Sequence, residues 1–319
     1  MFGAWSARLT NLALLGFLSV AFATGWIAFE LSGQPARAIL VLHAAAGVGI
    51  VLLVPWKSLI ARRGLRRRQS MRWASVVLGA GVVISLAFGF LHSFGRPDVG
   101  YLTAMDFHVG AAACVIPFVV WHVLARPARL RSTDLTRRNL LKGGVLFGAA
   151  VVAVAAVPGA RRASTGSFSS EQPIPTQWMF DSTQSIDPAG WSFSAGGRKL
   201  TYDELAAFDD RVTAVLDCTG GWYSEQVWEG VWLDRILPTR AGASSINVRS
   251  VTGYSRRFAI DGAPLLLATR VGGRRLEPGN GYPVRLVVPG QRGFTWVKWV
   301  ASIDAEGLPW WWQPPFPLQ

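Results

Sequence analysis

Apolar residues fill the first half of the chain in blocks long enough to cross a bilayer, and after about residue 160 they shrink to short runs alternating with polar positions. A membrane-spanning helix needs about 20 predominantly apolar residues. The blocks predict five spans: Leu9–Phe29, Ala38–Trp56, Trp73–Phe94, Thr103–Leu124 and a shorter one rich in Ala and Gly, Val145–Val157. From about Gln177 the period changes. Val212–Leu216, Ser245–Arg249 and Val284–Val288 read as strands separated by Gly, Pro, Asp and Ser turns, and Tyr202–Phe208 and Leu233–Leu237 as short helices. The expected fold is an N-terminal all-α transmembrane bundle, four helices plus a fifth linking helix, followed by a C-terminal mixed α+β domain. Residues 1–130 form the bundle in this reading, 131–160 the fifth helix with its leading motif, 161–176 a linker rich in Ser, Arg, Ala and Pro, and 177–319 the separate domain.

Charge sharpens this picture. The chain carries a net +13, but only 16% of its residues are charged, against about a quarter in a typical soluble protein. The cations gather in two loops between apolar blocks. Lys57, Arg62, Arg63, Arg66, Arg67, Arg68 and Arg72 lie in one, and Arg126, Arg129, Arg131, Arg137, Arg138 and Lys142 in the other. The opposite loops hold little more than Arg37 and Arg96. That is the distribution of cytoplasmic loops rather than of a nucleic-acid groove, so no nucleic-acid partner is expected. It places the N-terminus in the cytoplasm and the C-terminal domain outside, periplasmic or extracellular, and the expected location is a bacterial inner (cell) membrane.

All four histidines of the chain, His43, His92, His108 and His122, fall in the membrane half. Polar side chains at membrane depth are costly and mark functional positions. His43 and His108 sit at similar depths from the outer side of their spans. Two neutral imidazoles facing each other at one depth can clamp a haem iron. His108 and His122 are close to four helical turns apart on one face of their helix, a spacing that resembles the two-haem arrangement of membrane b-type cytochromes. One haem b held by His43 and His108 is expected, with His92 and His122 as ligands of a possible second. The segment Thr136-Arg137-Arg138-Asn139-Leu140-Leu141-Lys142 ahead of the fifth block resembles a twin-arginine export signal, which moves proteins already folded around a cofactor.

The C-terminal half has its own chemistry. With only Cys114 and Cys218 in the chain, one in an apolar block and one in the soluble half, neither a disulfide nor a Cys-based zinc site is expected. Leu216-Asp-Cys-Thr-Gly-Gly-Trp222, Trp228-Glu-Gly-Val-Trp-Leu233, Leu266-Leu-Ala268, Tyr282-Pro-Val-Arg-Leu-Val-Val-Pro-Gly290 and Trp296-Val-Lys-Trp299 follow one another in order. Together they resemble the molybdopterin-binding domain of the sulfite oxidase family and its methionine sulfoxide reductase relatives, over about residues 177–303. The resemblance implies that Cys218 binds molybdenum through its thiolate, a soft donor suited to that metal. It implies that Thr219 and Gly220 line the cofactor, Gly220 and Gly221 letting the backbone approach closely. Arg285 and Lys298 match positions near the pterin phosphate and the active site, Arg285 among the catalytic residues. Tyr254, Arg256 and Arg257 match a segment lining the pocket, Tyr254 as a catalytic residue.

The sequence also departs from true sulfite oxidases. Gly221 and Trp222 replace an Asn-Arg pair, Thr269 replaces a Tyr, the soluble half has no histidine, and a C-terminal dimerisation module is not expected. The implied activity is oxygen-atom exchange with a small substrate, a sulfoxide or similar oxide reduced or a sulfite-like oxyanion oxidised. Electrons would pass through haem b to or from the quinone pool or another membrane carrier. The implied partners are that carrier, the substrate, the bilayer and the twin-arginine machinery. The alternative is a cofactor-free, membrane-anchored binding or sensing module. Trp310, Trp311 and Trp312 close the chain with a run suited to a bilayer interface, to the domain's own core or to the bundle.

Overall fold

The computed structural model describes residues 6–65, 72–95, 98–99, 102–125, 131–155, 163–170, 182–237 and 242–314. Val157, Gln177 and half of the expected linker, residues 161–162 and 171–176, lie outside them. The chain divides into two units, residues 1–166 and 167–319.

The first unit is helical. Its elements are α1 (Ala7–Glu30), α2 (Gly33–Leu65), α3 (Arg72–Phe94), a short hairpin of β1 (Asp98–Val99) and β2 (Leu102–Thr103), α4 (Ala104–Ala125) and α5 (Arg137–Ala155). α1 packs along α2, α3 along α4, and α5 against α2. α4 starts where its sequence says it should: Asp106 Oδ2 accepts from the Thr103 backbone N–H at 2.7 Å, and Thr103 Oγ1 accepts from the Asp106 N–H at 3.2 Å. This reciprocal cap sets the register that carries His108.

Four helices, α1 to α4, are long and apolar enough to cross a membrane. The fifth expected span differs in detail. α5 begins at Arg137, well before Val145, because Arg137, Arg138 and Lys142 are good helix formers and join the helix instead of forming its approach. Its two ends are tied to opposite ends of the bundle. Just ahead of α5, Asp134 pairs with Arg8 at 2.8 Å, near the end where Lys57 Nζ donates to Asn11 Oδ1. Beyond it, Gly166 packs beside Leu40, and its carbonyl lies 3.3 Å from His92 Nε2, at the other end.

The second unit holds two sheets. In chain order its elements are β3 (Phe168–Ser169), β4 (Phe193–Ala195), β5 (Arg198–Leu200), α6 (Tyr202–Ala206), β6 (Asp210–Asp217), β7 (Trp222–Trp232), β8 (Ser245–Ser250), β9 (Ser255–Ala259), β10 (Leu266–Val271), β11 (Arg274–Arg275), β12 (Arg285–Val287) and β13 (Val300–Glu306). One sheet runs β11-β10-β7-β3, with β6 also on β7 and β12 also on β10; the other runs β5-β4-β13-β8-β9. Two of the predicted strands, Val212–Leu216 and Ser245–Arg249, fall inside β6 and β8, and Val284–Val288 contains the shorter β12. Tyr202–Phe208 contains α6, capped by Thr201 and Glu204 on each other's backbone, while Leu233–Leu237 yields a 3₁₀ turn over Leu233–Arg235. β3 was expected to be linker. It pairs in parallel with the start of β7, because its backbone completes the sheet beside Trp222 and Tyr223.

The core between the sheets is built from Trp228, Trp296, Phe193, Leu216, Leu266, Leu267, Leu286, Val231, Val248 and Ile303, with Trp228 and Trp296 edge to face at 5.4 Å. Gly230 on β7 faces Ala268 on β10. A Cβ there would press on backbone atoms of Leu267 and Ala268, which cannot swing away as a side chain could. Gly230→Ala is therefore expected to destabilise this unit by about 3 kcal/mol, read as a lower urea or thermal midpoint. An unchanged midpoint would show that the two strands separate easily.

Candidate functional site

Cys218 sits in the turn of the β6–β7 hairpin, one residue past the last register pair, Asp217 with Tyr223. The turn is closed by its own backbone: Cys218 N–H donates to Trp222 O at 2.8 Å and Gly221 N–H to Cys218 O at 3.2 Å. Gly221 has φ +87°, a left-handed value that a side chain would strain. The sulfur is half-buried and receives the Gly220 N–H at 3.4 Å. Thr219 beside it is half-buried.

Burial pushes the Cys218 thiol up from its ordinary value, against the opposing pull of the Gly220 N–H and of Arg292, Lys298 and Arg285. The metal-free protein thus holds a protonated sulfur in a cationic surround. A bound metal would displace the proton.

Two of the three cations were expected from sequence. Arg285, buried on β12, lies beside the contacting rings of Trp228 and Trp296, its guanidinium 5.5 and 5.8 Å from their centres, and donates to Asn280 O at 3.2 Å. Lys298 is half-buried, with its ammonium 5.1 Å from the Trp299 ring centre. Gly281, at φ +101°, brings them together: a Cβ there would lie 3.2 Å from both Arg285 Cβ and Lys298 Cα. Trp299 itself has φ +51°, an uncommon conformation for a bulky side chain. Strain of this kind collects at functional sites.

The third cation, Arg292, was missed. It follows the Pro289-Gly290 turn at the end of a quoted motif, and that turn was the only local signal of an inward-facing loop. It is buried, and its Nη1 lies 2.6 Å from Asp217 Oδ1.

Tyr254, Arg256 and Arg257 are used elsewhere. The Tyr254 hydroxyl donates to Phe294 O, and burial raises its pKa to about 12, so its proton is committed to holding the 291–295 loop. Arg256 stacks 4.7 Å over Phe294 and donates to Pro314 O at 2.6 Å. Arg257 pairs with Glu306 at 3.0 Å, gives its backbone N–H to Gln313 Oε1 and donates to Trp312 O. Both arginines fasten the C-terminal segment onto β9. Trp310, Trp311 and Trp312 on that segment are 51%, 61% and 63% exposed, which removes the domain core as their resting place.

In the helical unit, the rings of His43 and His108 face each other, centres 5.7 Å apart and nearly perpendicular. Each is anchored in the same way. His43 Nδ1 is 2.9 Å from Ala21 O on α1, and His108 Nδ1 is 2.7 Å from Ser85 O on α3. A carbonyl can only accept, so each Nδ1 carries the proton and each Nε2 keeps its lone pair for a ligand. Glycines make room: a Cβ at Gly25 would meet His43 at 3.0 Å, and one at Gly89 would meet His108 at 2.9 Å. His92 lies near the far end of α3 and His122 in the last turn of α4, at opposite ends of that antiparallel pair, so the two do not form a second facing pair.

Comparison with known proteins adds the following. Residues 180–308 match the family described as oxidoreductase molybdopterin binding domain. The chain is 43% identical over 100 residues to the nitrate reductase [NADH] of Spinacia oleracea, covering 25% of this chain and 11% of that one. It is 32% identical over 142 residues to the protein-methionine-sulfoxide reductase catalytic subunit MsrP of Xanthomonas axonopodis pv. citri, covering 35% and 44%. Among solved structures, the sulfane dehydrogenase SoxCD of Paracoccus pantotrophus matches 40% of each chain at 22% identity and a TM-score of 0.37. The chain spans less than half the length of the curated relatives it matches.

Proposed function

We propose, from the oxidoreductase molybdopterin binding domain at residues 180–308, that this chain is a membrane-anchored molybdenum oxidoreductase exchanging an oxygen atom with a small substrate. The observation that carries the proposal is Cys218, presented on a hairpin turn among Arg285, Lys298 and Arg292. The residues suit the group. A soft thiolate would ligate molybdenum, glycine backbone would allow close approach, and buried cations would balance an anionic pterin phosphate. When bound, the cofactor supplies two-electron oxygen-atom chemistry, and the protein supplies position and electrostatics. Cys218 would hold the metal, Arg285 and Lys298 the phosphate, and Tyr254 would keep the 291–295 loop closed behind them. Both curated relatives are named as reductases, which supports reduction of a sulfoxide or similar oxide.

The helical unit is read as the electron carrier, one haem b held between His43 and His108 and exchanging electrons with the quinone pool. The neighbouring rings and the paired carbonyl anchors, which leave each Nε2 unprotonated, support this. The course of α5, from the Arg8–Asp134 end to the Leu40–His92 end, supports a fifth crossing of the bilayer. A bacterial cell membrane, an external C-terminal unit and export through the Arg137–Arg138 motif complete the reading.

Metal analysis and a reduced-minus-oxidised spectrum of the detergent-purified full chain test it together. The expected result is about one molybdenum per chain with a b-type signal. Haem without molybdenum, in a host that makes the pterin, would overturn the enzyme reading. Molybdenum without haem would overturn the electron-carrier reading.

A further inference from the structure

Asp217 stands between the last pair of the β6–β7 hairpin and Cys218, and its carboxylate is buried. It accepts a hydrogen bond from Ser167 Oγ, fifty residues away, at 2.6 Å. It also pairs with Arg292 at 2.6 Å. The backbones of Asp217 and Arg292 form an isolated parallel bridge, and a Cβ at Gly293 would come within 3.1–3.2 Å of Asp217 O and Cys218 Cα. On the other side of the turn, Phe168 N–H donates to Gly221 O at 3.0 Å. The Cys218 turn is thus gripped from two directions by segments remote in sequence.

A buried ion pair is a poor source of stability, since desolvation offsets most of its attraction. Its presence here needs another reason. Arg292 also keeps its Nε–H without a hydrogen-bond partner among the described residues, a costly state for a buried donor unless a ligand takes it.

We propose that Ser167, Asp217 and Arg292 are positioning residues for Cys218, fixing the orientation in which its sulfur meets molybdenum. The inference rests on Cys218 being the molybdenum ligand. Ser167 holds the carboxylate from the β3 side, and the carboxylate holds the guanidinium. The joined main chains keep the turn from rotating about Asp217. In metal sites, groups that orient a ligand are worth roughly 10–100-fold in metal affinity or activity.

The test uses the full chain purified from a host that supplies the pterin. Ser167→Ala, Asp217→Asn, Arg292→Gln and the double variant D217N/R292Q are compared for molybdenum per chain, Mo(V) electron paramagnetic resonance and unfolding midpoint. Ser167→Ala adds no uncompensated charge. It is expected to keep its midpoint and its metal while its Mo(V) g-values shift. Each charge variant alone strands the other charge and is expected to lower molybdenum content roughly tenfold. The double variant, with neither charge, is expected to recover its midpoint but not the native g-values. Native g-values in both Ser167→Ala and the double variant would overturn the proposal and leave a merely structural pair. An unsubstituted protein without molybdenum would overturn the ligand reading itself, and with it this one.

Discussion

Replacing Cys218 with serine is expected to abolish oxygen-atom transfer, with a loss of at least about 100-fold, above the scale seen when only supporting groups are removed. The sulfur is the one soft donor among the described residues of the C-terminal unit, and serine offers a hard oxygen in its place. The fold should survive. The turn is held by backbone bonds between Cys218, Gly221 and Trp222, which serine retains, so stability should change by less than about 1 kcal/mol. Substrate reduction with an artificial reduced dye as donor and molybdenum per chain are the measurements. Cys114→Ser is the control, since Cys114 is exposed along α4 and is expected to leave both unchanged. Full activity in Cys218→Ser would remove the sulfur from the chemistry.

The long apolar helices and the strands β6, β8 and β12 could be read from the sequence because their signal is local: apolar length in one case, alternation in the other. Cys218 and two of the cations around it, Arg285 and Lys298, were legible through motif order. What escaped was settled by partners far along the chain. Arg256 and Arg257 look like pocket cations, but the course of residues 310–314 over β9 decides their use, and nothing near position 256 encodes it. Arg292 reads as one more loop cation until Asp217 is seen to meet it. β3 is too short to show a period, and only the waiting edge of β7 makes it a strand. The apolar block from Val145 marks only the later part of α5, because Arg137, Arg138 and Lys142 favour helix without being apolar.

Replacing either His43 or His108 with alanine is expected to remove the b-type absorbance of the purified protein. The ring centres are 5.7 Å apart, and each ring is locked by Nδ1 onto a carbonyl of the preceding helix, so the proposed haem would depend on both Nε2 atoms at once. The anchors grade the effect. Ser85→Ala removes a hydroxyl 3.2 Å from His108 Nδ1 but leaves the backbone carbonyl that sets the tautomer, so the spectrum should persist. Gly89→Ala places a methyl 2.9 Å from the same nitrogen, inside contact distance, and should tilt the ring and weaken the signal. His92→Ala and His122→Ala should leave the absorbance whole, because those residues lie at opposite ends of the α3–α4 pair. Loss of about half the signal in either would reveal the second haem that the fourteen-residue spacing on α4 allows. If both His43→Ala and His108→Ala keep the full spectrum, the facing pair is a contact between helices and the electron carrier lies elsewhere.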